Sequence, residues 1–173
     1  MGRPRRSLSQ LLSQVAEEMQ ADCVGAPQST PAPTVADEAA LREYLSSTFG
    51  AKLPAICVCP DHASPWEAFS AAYYARHPVI VIKGSRGLAG KTWLLGLLAT
   101  AEGLLLGADV TLLGGSGRQS AQVHKAMAKL WAMSSAPRDQ IIGEPGVTKT
   151  TFARGNSAMF TAWSPMRSRS LLI

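Results

Sequence analysis

The sequence predicts an α/β protein in which helices flank a parallel sheet, and three observations lead to this prediction. Residues 79–82 are four β-branched residues in a row, which is typical of a central strand buried on both faces. A second apolar strand is predicted at 109–113. Leucine- and alanine-rich helical patterns follow the two strands, at 91–106 and 120–131. This alternation favours a parallel sheet with right-handed crossovers.

The part of the chain before this unit is predicted to be helical at first. Five apolar residues recur at helical spacing within 7–20, and a proline-rich linker follows at 24–35. A second helix is predicted from Asp37 to Thr48, where a glycine two residues later ends it. We therefore divide the chain into a helical N-terminal segment, residues 1–50, and a main domain, residues 51–173.

A third helix is predicted to begin at Ser64-Pro65, with Ser64 as N-cap and Glu67 as its capping-box partner. Its aromatic residues form a stripe that favours core packing: Trp66, Phe69, Tyr73 and Tyr74. The preceding stretch, 54–65, contains Cys57 and Cys59, whose spacing does not match a zinc knuckle. We expect that stretch to be a short extended piece with buried thiols.

The residue pattern of the C-terminal part changes from Thr148 onwards. The sequence is β-prone on both sides of Gly155-Asn156, which predicts a β-hairpin with its turn at that dipeptide. The closing residues, "PMRSRSLLI", show no stable pattern.

Charge and cysteine content narrow the class of protein. Seventeen Lys and Arg against twelve Asp and Glu give a net charge of +5, which suits an anionic partner such as nucleic acid. Three cysteines are too few for a disulfide framework and fit a reducing compartment. No signal peptide is visible, and the longest apolar stretch, 93–106, is too short to span a bilayer. These features predict a soluble, intracellular protein.

A candidate phosphate-binding loop connects the strand at 79–82 to the helix that begins at Lys91. Small residues there would let backbone N–H groups point at phosphates, and the helix N-terminus would face the same anion. Lys91 would reach the β- and γ-phosphates, and the Thr92 hydroxyl would bind Mg²⁺. The predicted nucleotide-binding residues are Gly84, Ser85, Arg86, Gly87, Leu88, Ala89, Gly90, Lys91 and Thr92. The pattern is a variant, because Ser85 stands where the first glycine of a P-loop is usual.

An arginine inside the loop is unusual. The Arg86 guanidinium could pair with the γ-phosphate and stabilise its charge during cleavage, so that Arg86 and Lys91 are the predicted catalytic residues. The alternative is a surface arginine that bonds loop carbonyls.

The stretch "SPWEAFSAAYYARHPVIVIKGSRGLAGKTWLLGLLATAEGLLLGADVTLLGGSGRQSAQVHKAMAKLW" resembles the start of the ATPase domain of phage terminase large subunits. The resemblance covers roughly residues 55–165 and is strongest around the loop. It implies an incomplete P-loop NTPase-like fold and a motor that uses ATP and Mg²⁺ to package double-stranded DNA. It also implies portal and small-terminase partners, a homo-oligomer and the host cell cytoplasm, and it places Trp66 near the adenine base.

Departures from that family point to a partial ATPase domain. Hydrolysis needs an apolar strand that ends in Asp-Glu, and none is found in the sequence. Asp109 begins its strand instead of ending it, and Asp139 and Glu144 lie in a stretch broken by Pro and Gly. The family also has a C-terminal nuclease domain with clustered carboxylates, and no such cluster is found in this sequence. We therefore expect a truncated gene product, an N-terminal piece or one part of a split subunit. We expect it to be marginally stable alone, because an edge of the sheet and apolar faces are uncovered. We expect it to hydrolyse ATP poorly or not at all.

Two other classes of protein stay open on the sequence alone. One is a nucleotide-binding module of another P-loop family, a helicase-like ATPase or a small-molecule kinase. A kinase would also need a lid with arginines and a substrate acid near the second strand; residues 114–118 fit that role poorly, and no lid is apparent in the sequence. The other is a non-enzymatic remnant that binds partners through its basic ends. The helix at 120–131 and the residues just before it also have a polar face that could touch DNA, although a solvated face is the default for such a pattern. His124 on that helix receives no catalytic role.

Overall fold

The computed structural model describes residues 34–57, 59–84, 90–146 and 148–162. In this part of the chain the fold is mixed α/β, as predicted. The helices are α1 (Glu38–Phe49), α2 (Pro65–Tyr73), α3 (Lys91–Ala101) and α4 (Gly117–Trp131). The strands are β1 (Val110–Gly114), β2 (Ile141–Ile142), β3 (Lys149–Phe152) and β4 (Ser157–Ala162). The predicted helix at 7–20 and most of the linker at 24–35 lie outside the described residues.

The four strands form one sheet in the order β1-β4-β3-β2. β1 pairs with β4 in parallel, with Leu112 opposite Phe160, whereas β3 pairs antiparallel with β4 and with β2. The predicted hairpin about Gly155-Asn156 is confirmed, since β3 and β4 lie on either side of that turn. The expectation of a parallel sheet with a separate hairpin is corrected to a mixed sheet, because β4 pairs directly with β1.

The predicted buried strand at 79–82 is not found. This stretch belongs to no strand, and the side chains of Val79 and Val81 are 77% and 86% exposed. Ile82 alone of the four packs against the core. The prediction was wrong because β-branched residues favour an extended chain but do not supply the neighbouring strand that a buried position requires.

The second predicted strand is present but lies at an edge of the sheet. It spans Val110–Gly114 and alternates between half-buried and exposed residues, with Leu113 64% exposed. Alternation continues on β4, where Ala158 and Phe160 are buried while Met159 is exposed. One face of the sheet is therefore covered by helices, and its other face is open in the described part of the chain.

The core lies between that covered face and the helices. α4 packs on β1 and β4, and α3 packs on α4. The edge of the Phe49 ring meets Trp131, with ring centroids 5.7 Å apart, and Trp131 lies 6.2 Å from Phe152. Since Phe49 belongs to α1, that helix shares the same core as α4 and the sheet.

Local capping signals set the ends of the first two helices, as predicted. The Asp37 carboxylate accepts a hydrogen bond from the N–H of Ala40 at 2.8 Å, and Gly50 ends α1 in a left-handed conformation. At α2, the Ser64 hydroxyl accepts from the N–H of Glu67 at 3.2 Å, while the Glu67 carboxylate accepts from the N–H of Ser64 at 2.7 Å. The predicted capping box is therefore present.

The capping box makes stability depend on pH. Its hydrogen bond from the N–H of Ser64, and then that from Cys57, lower the pKa of Glu67 below its ordinary value of 4.5. A lowered folded-state pKa contributes stability above pH 4.5, and this contribution is lost as pH falls through the folded value. We expect Glu67→Gln to have a lower Tm than the wild type at pH 7.

Thermal unfolding between pH 7 and pH 3 checks this prediction. The difference in Tm between the wild type and Glu67→Gln should shrink as the pH falls, because protonated Glu67 then resembles glutamine. A difference that stays constant over this range would contradict it.

The end of α3 connects the helices to the hairpin. α3 continues as a π-helical turn, Glu102–Leu106, which ends at Gly107. The side-chain amide of Asn156 donates to the carbonyls of Gly103 and Ala108, at 2.8 and 2.9 Å. The Asp109 carboxylate accepts from the N–H of Ser157 at 2.8 Å. These bonds place the start of β1 beside the start of β4 and so favour their parallel pairing.

Candidate functional site

The candidate site is a cleft of about 320 Å³ between the N-termini of α2 and α3. Ser64 and Pro65 line one side of it, and Gly90, Lys91 and Leu94 line the other. Residues 82–84, which lead into the predicted phosphate loop, also line this cleft. Gly84 and the start of α3, which the sequence places in the phosphate loop, both line this cleft, although the preceding stretch is not a strand.

The two ends of the predicted loop lie close together. The Lys91 ammonium group donates a hydrogen bond to the carbonyl oxygen of Gly84 at 2.7 Å. The lysine side chain thus bends back from the first residue of α3 to the first residue of the loop. Of the predicted nucleotide-binding residues, Gly84, Gly90, Lys91 and Thr92 are described; Ser85, Arg86, Gly87, Leu88 and Ala89 lie outside the described residues.

Gly90 allows the chain to enter α3 at a sharp angle. It is the N-cap of α3 and has a left-handed backbone, with φ of 61° and ψ of 13°. A side chain there would be strained, although a Cβ atom would meet nothing within 4 Å. Since glycine has no capping side chain, the first turn of α3 receives no hydrogen bond from a side chain of its N-cap.

Thr92 is exposed in that first turn, and Lys91 is half-buried. The Leu94 N–H bonds the Gly90 carbonyl at 2.9 Å, which is the first helical bond of α3. The positive end of the helix, the lysine and the hydroxyl therefore lie within one turn. Such an arrangement is suited to phosphate oxygens rather than to a neutral ligand.

Carboxylates contribute little to this cleft. In the described ranges, no three or more His, Cys, Asp or Glu side chains are grouped closely enough to hold a metal ion. Asp109 lies directly before β1, so it is at the beginning of the strand and not at its end, as predicted. Its carboxylate accepts hydrogen bonds from Ser157 and supports the β1–β4 pairing. Asp139 accepts a hydrogen bond from Gln140, and Glu144 lines a separate cavity beside Trp131.

The thiols near the cleft differ from the prediction. Cys57 and Cys59 are both exposed, whereas the sequence predicted them as buried. Their loop lies at the surface, where its proline residues keep it out of the regular elements. The Cys57 sulfur lies 3.3 Å from a Glu67 carboxylate oxygen, and this hydrogen bond raises the pKa of the thiol.

A larger cavity of about 830 Å³ lies between α1, the stretch Ala51–Pro54 and Trp66. Trp66 is only 8% exposed, and the Arg42 guanidinium lies 5.5 Å from its ring centroid. Arg42 also donates to the Leu53 carbonyl at 3.2 Å. Trp66 therefore lines this cavity instead of the cleft at Lys91. Sequence reasoning did not single out Arg42, because an arginine on an exposed helix face gives no signal of its partner.

Comparisons with protein-family models, with curated proteins and with solved structures each returned no match. In the described residues, none of the helices has both the length and the apolar character needed to cross a membrane. The fold and the cleft together define a mixed α/β domain. One surface cleft of this domain is lined by Lys91 and by the glycine-capped start of α3.

Proposed function

We propose that this chain binds ATP at the cleft around Lys91, as the N-terminal ATPase portion of a viral DNA-packaging motor. The observation that carries the proposal is the bond from the Lys91 ammonium to the Gly84 carbonyl. That bond joins the two ends of the glycine-rich stretch at the start of α3. A triphosphate bound there would meet the lysine and the positive helix end together.

Each residue of the cleft then has a defined task. The ammonium group of Lys91 would exchange the Gly84 carbonyl for oxygens of the β- and γ-phosphates. N–H groups of the first turn of α3 would bind the same phosphates, and Gly90 permits their close approach. Arg86 would pair with the γ-phosphate, in the role that the sequence assigns to it.

A Mg²⁺ ion fits this set of residues only together with a nucleotide. The chain offers the exposed Thr92 hydroxyl, and no carboxylate is among the described residues that line the cleft. Mg²⁺ in nucleotide sites is commonly held by one or two protein groups, by phosphates and by water. The ion would neutralise phosphate charge there, while Lys91 and Thr92 hold the nucleotide in place.

Weak hydrolysis is the expected behaviour of this site. An ATPase needs a carboxylate that orients or activates the attacking water. At the start of β1, the Asp109 carboxylate accepts hydrogen bonds from Ser157, so its structural role is to stabilise the sheet. We propose binding of ATP with little turnover by this chain.

The assignment to DNA packaging rests on the resemblance of residues 55–165 to terminase large subunits. Double-stranded DNA, a portal, a small terminase subunit and a homo-oligomeric motor in the host cytoplasm follow from that resemblance. The net charge of +5 is compatible with a DNA partner.

Titration of a fluorescent ATP analogue against the full chain, in the presence of Mg²⁺, tests the proposal. Lys91→Ala should raise the Kd at least about tenfold, because a charge-assisted bond to phosphate contributes roughly 1.5–3 kcal/mol. Lys83→Ala is the matched control, since Lys83 lines the same cleft but lies before Gly84. Its Kd should change less than about twofold.

Two outcomes would overturn the proposal. Equal binding by the wild type and Lys91→Ala would show that the lysine does not contact the nucleotide. Equal weakening in the two variants would indicate general electrostatic attraction instead of a specific phosphate site.

A further inference from the structure

Helix α4 presents an exposed stripe of basic and amide side chains. Arg118, Gln122, Lys125 and Lys129 follow one another at intervals of four, three and four residues, and they lie on the side of the helix that faces away from the core. We call these four residues the basic stripe. The opposite side of the helix is buried, through residues that include His124, Met127 and Trp131. The helix is thus anchored on the sheet with its charged side facing outward.

None of the three cations of this stripe forms an ion pair in the described part of the chain. α4 contains no Asp or Glu, and neither do α3, β1 and β4, which pack against it. The one ion pair in the described part of the chain joins Arg76 to Glu38, far from α4 in sequence. Three positive charges on one helix face that form no ion pair repel each other, and this repulsion is relieved when a polyanion binds.

We propose that the basic stripe binds the phosphate backbone of double-stranded DNA. From Arg118 to Lys129 the helix rises roughly 16 Å, which is the length of DNA axis over which one strand carries about five phosphates. The Gln122 amide lies between the cations and can donate to phosphate oxygens. Bonds of this kind fix the position of a protein on DNA without reading its sequence.

The composition of the stripe favours duplex DNA over other anionic partners. Proteins that bind single strands stack bases on exposed aromatic rings. Trp131 and His124 are the aromatic side chains of α4, and both are buried, so α4 offers no such ring. A helix that binds a membrane surface presents large apolar side chains, and none of the exposed large apolar residues of the described chain belongs to α4.

This inference deepens the proposed function, because it assigns the DNA-binding surface of that function to a place away from the nucleotide cleft. It can fail independently of ATP binding. DNA binding by the stripe needs no nucleotide, so the measurement is made without ATP and Mg²⁺. Loss of ATP binding in Lys91→Ala then leaves this result unaffected.

The test is fluorescence anisotropy of a labelled duplex of about 20 base pairs, titrated with the full chain over a series of NaCl concentrations. The variant is Lys125→Gln with Lys129→Gln. The control is Lys52→Gln with Lys149→Gln, which removes the same charge from other exposed positions. For each phosphate that the protein no longer binds, the slope of log K against log[NaCl] should become shallower by about one.

We expect the stripe variant to bind at least about tenfold more weakly at low salt, with a slope reduced by about two. The control should bind less than about threefold more weakly and keep most of its slope. Circular dichroism is measured for each variant. A spectrum identical to that of the wild type establishes that the helix is retained. Equal weakening in the two double variants would overturn the proposal. So would binding of single-stranded DNA, or of polyglutamate, as tight as that of the duplex.

Discussion

Replacing Gly103 by alanine is expected to destabilise the folded chain by about 2–3 kcal/mol. Gly103 lies in the π-helical turn after α3, and a Cβ atom there would overlap the Cε2 and Cζ atoms of Phe152. The Phe152 ring is only 1% exposed and packs beside Trp131, so moving it would disturb the core. Either the π-helical turn or β3 must shift to admit the methyl group.

Urea unfolding followed by circular dichroism measures this change. The matched control is Gly117→Ala at the start of α4, where a Cβ atom would meet nothing within 4 Å. Alanine there should leave stability unchanged or raise it by up to about 1 kcal/mol. If the two alanine variants unfold at the same urea concentration, the close packing of Gly103 on Phe152 is contradicted.

Asn156→Asp is expected to destabilise the chain by about 3 kcal/mol at pH 7. The Asn156 amide donates to the carbonyls of Gly103 and Ala108, and so joins the hairpin turn to both ends of the π-helical turn. An aspartate has no donor when ionised, and its charge would face two carbonyl oxygens. The half-buried position makes that arrangement more costly than it would be in open solvent.

Asn156→Ala separates the loss of the two hydrogen bonds from the effect of the added charge. It removes both hydrogen bonds without adding a charge, so it should cost about half as much as the aspartate. Lowering the pH from 7 to 4 should bring the two variants closer, because a protonated carboxyl group can donate one bond. Urea midpoints at both pH values measure this difference. An aspartate variant as stable as the wild type would show that the turn does not depend on the amide.

Local signals in the sequence predicted the helices well. Asp37 and Gly50 bound α1, and the capping box at Ser64 opens α2, because the atoms that make these bonds lie within a few residues of each other. The turn at Gly155-Asn156 was predicted for the same reason. α4 begins at Gly117, three residues before its predicted start, since Ser116 caps it.

Features that depend on distant neighbours were predicted poorly. The run 79–82 has the composition of a central strand, yet it pairs with no strand in the described part of the chain. β2, with two residues, is too short to give any periodic signal. β1 was predicted as buried but is half-exposed at the sheet edge, which is decided by which strands pair with it.

At the candidate site, the sequence identified Gly90, Lys91 and Thr92 at the start of a helix. Which atoms the Lys91 ammonium contacts could not be predicted, because a long flexible side chain can reach several acceptors. The contact between Arg42 and Trp66, and the exposure of Cys57 and Cys59, likewise depend on how separate segments pack.

The sequence by itself determined where helices begin and end, where the hairpin turns, and that a glycine-capped helix carries Lys91 and Thr92. These features depend on hydrogen bonds and backbone preferences between residues close together in the chain. Only the tertiary structure decided that the sheet is mixed, that 79–82 is exposed and that α4 packs on β1 and β4. Those features depend on which distant surfaces exclude water from each other, and no short stretch of sequence contains both surfaces.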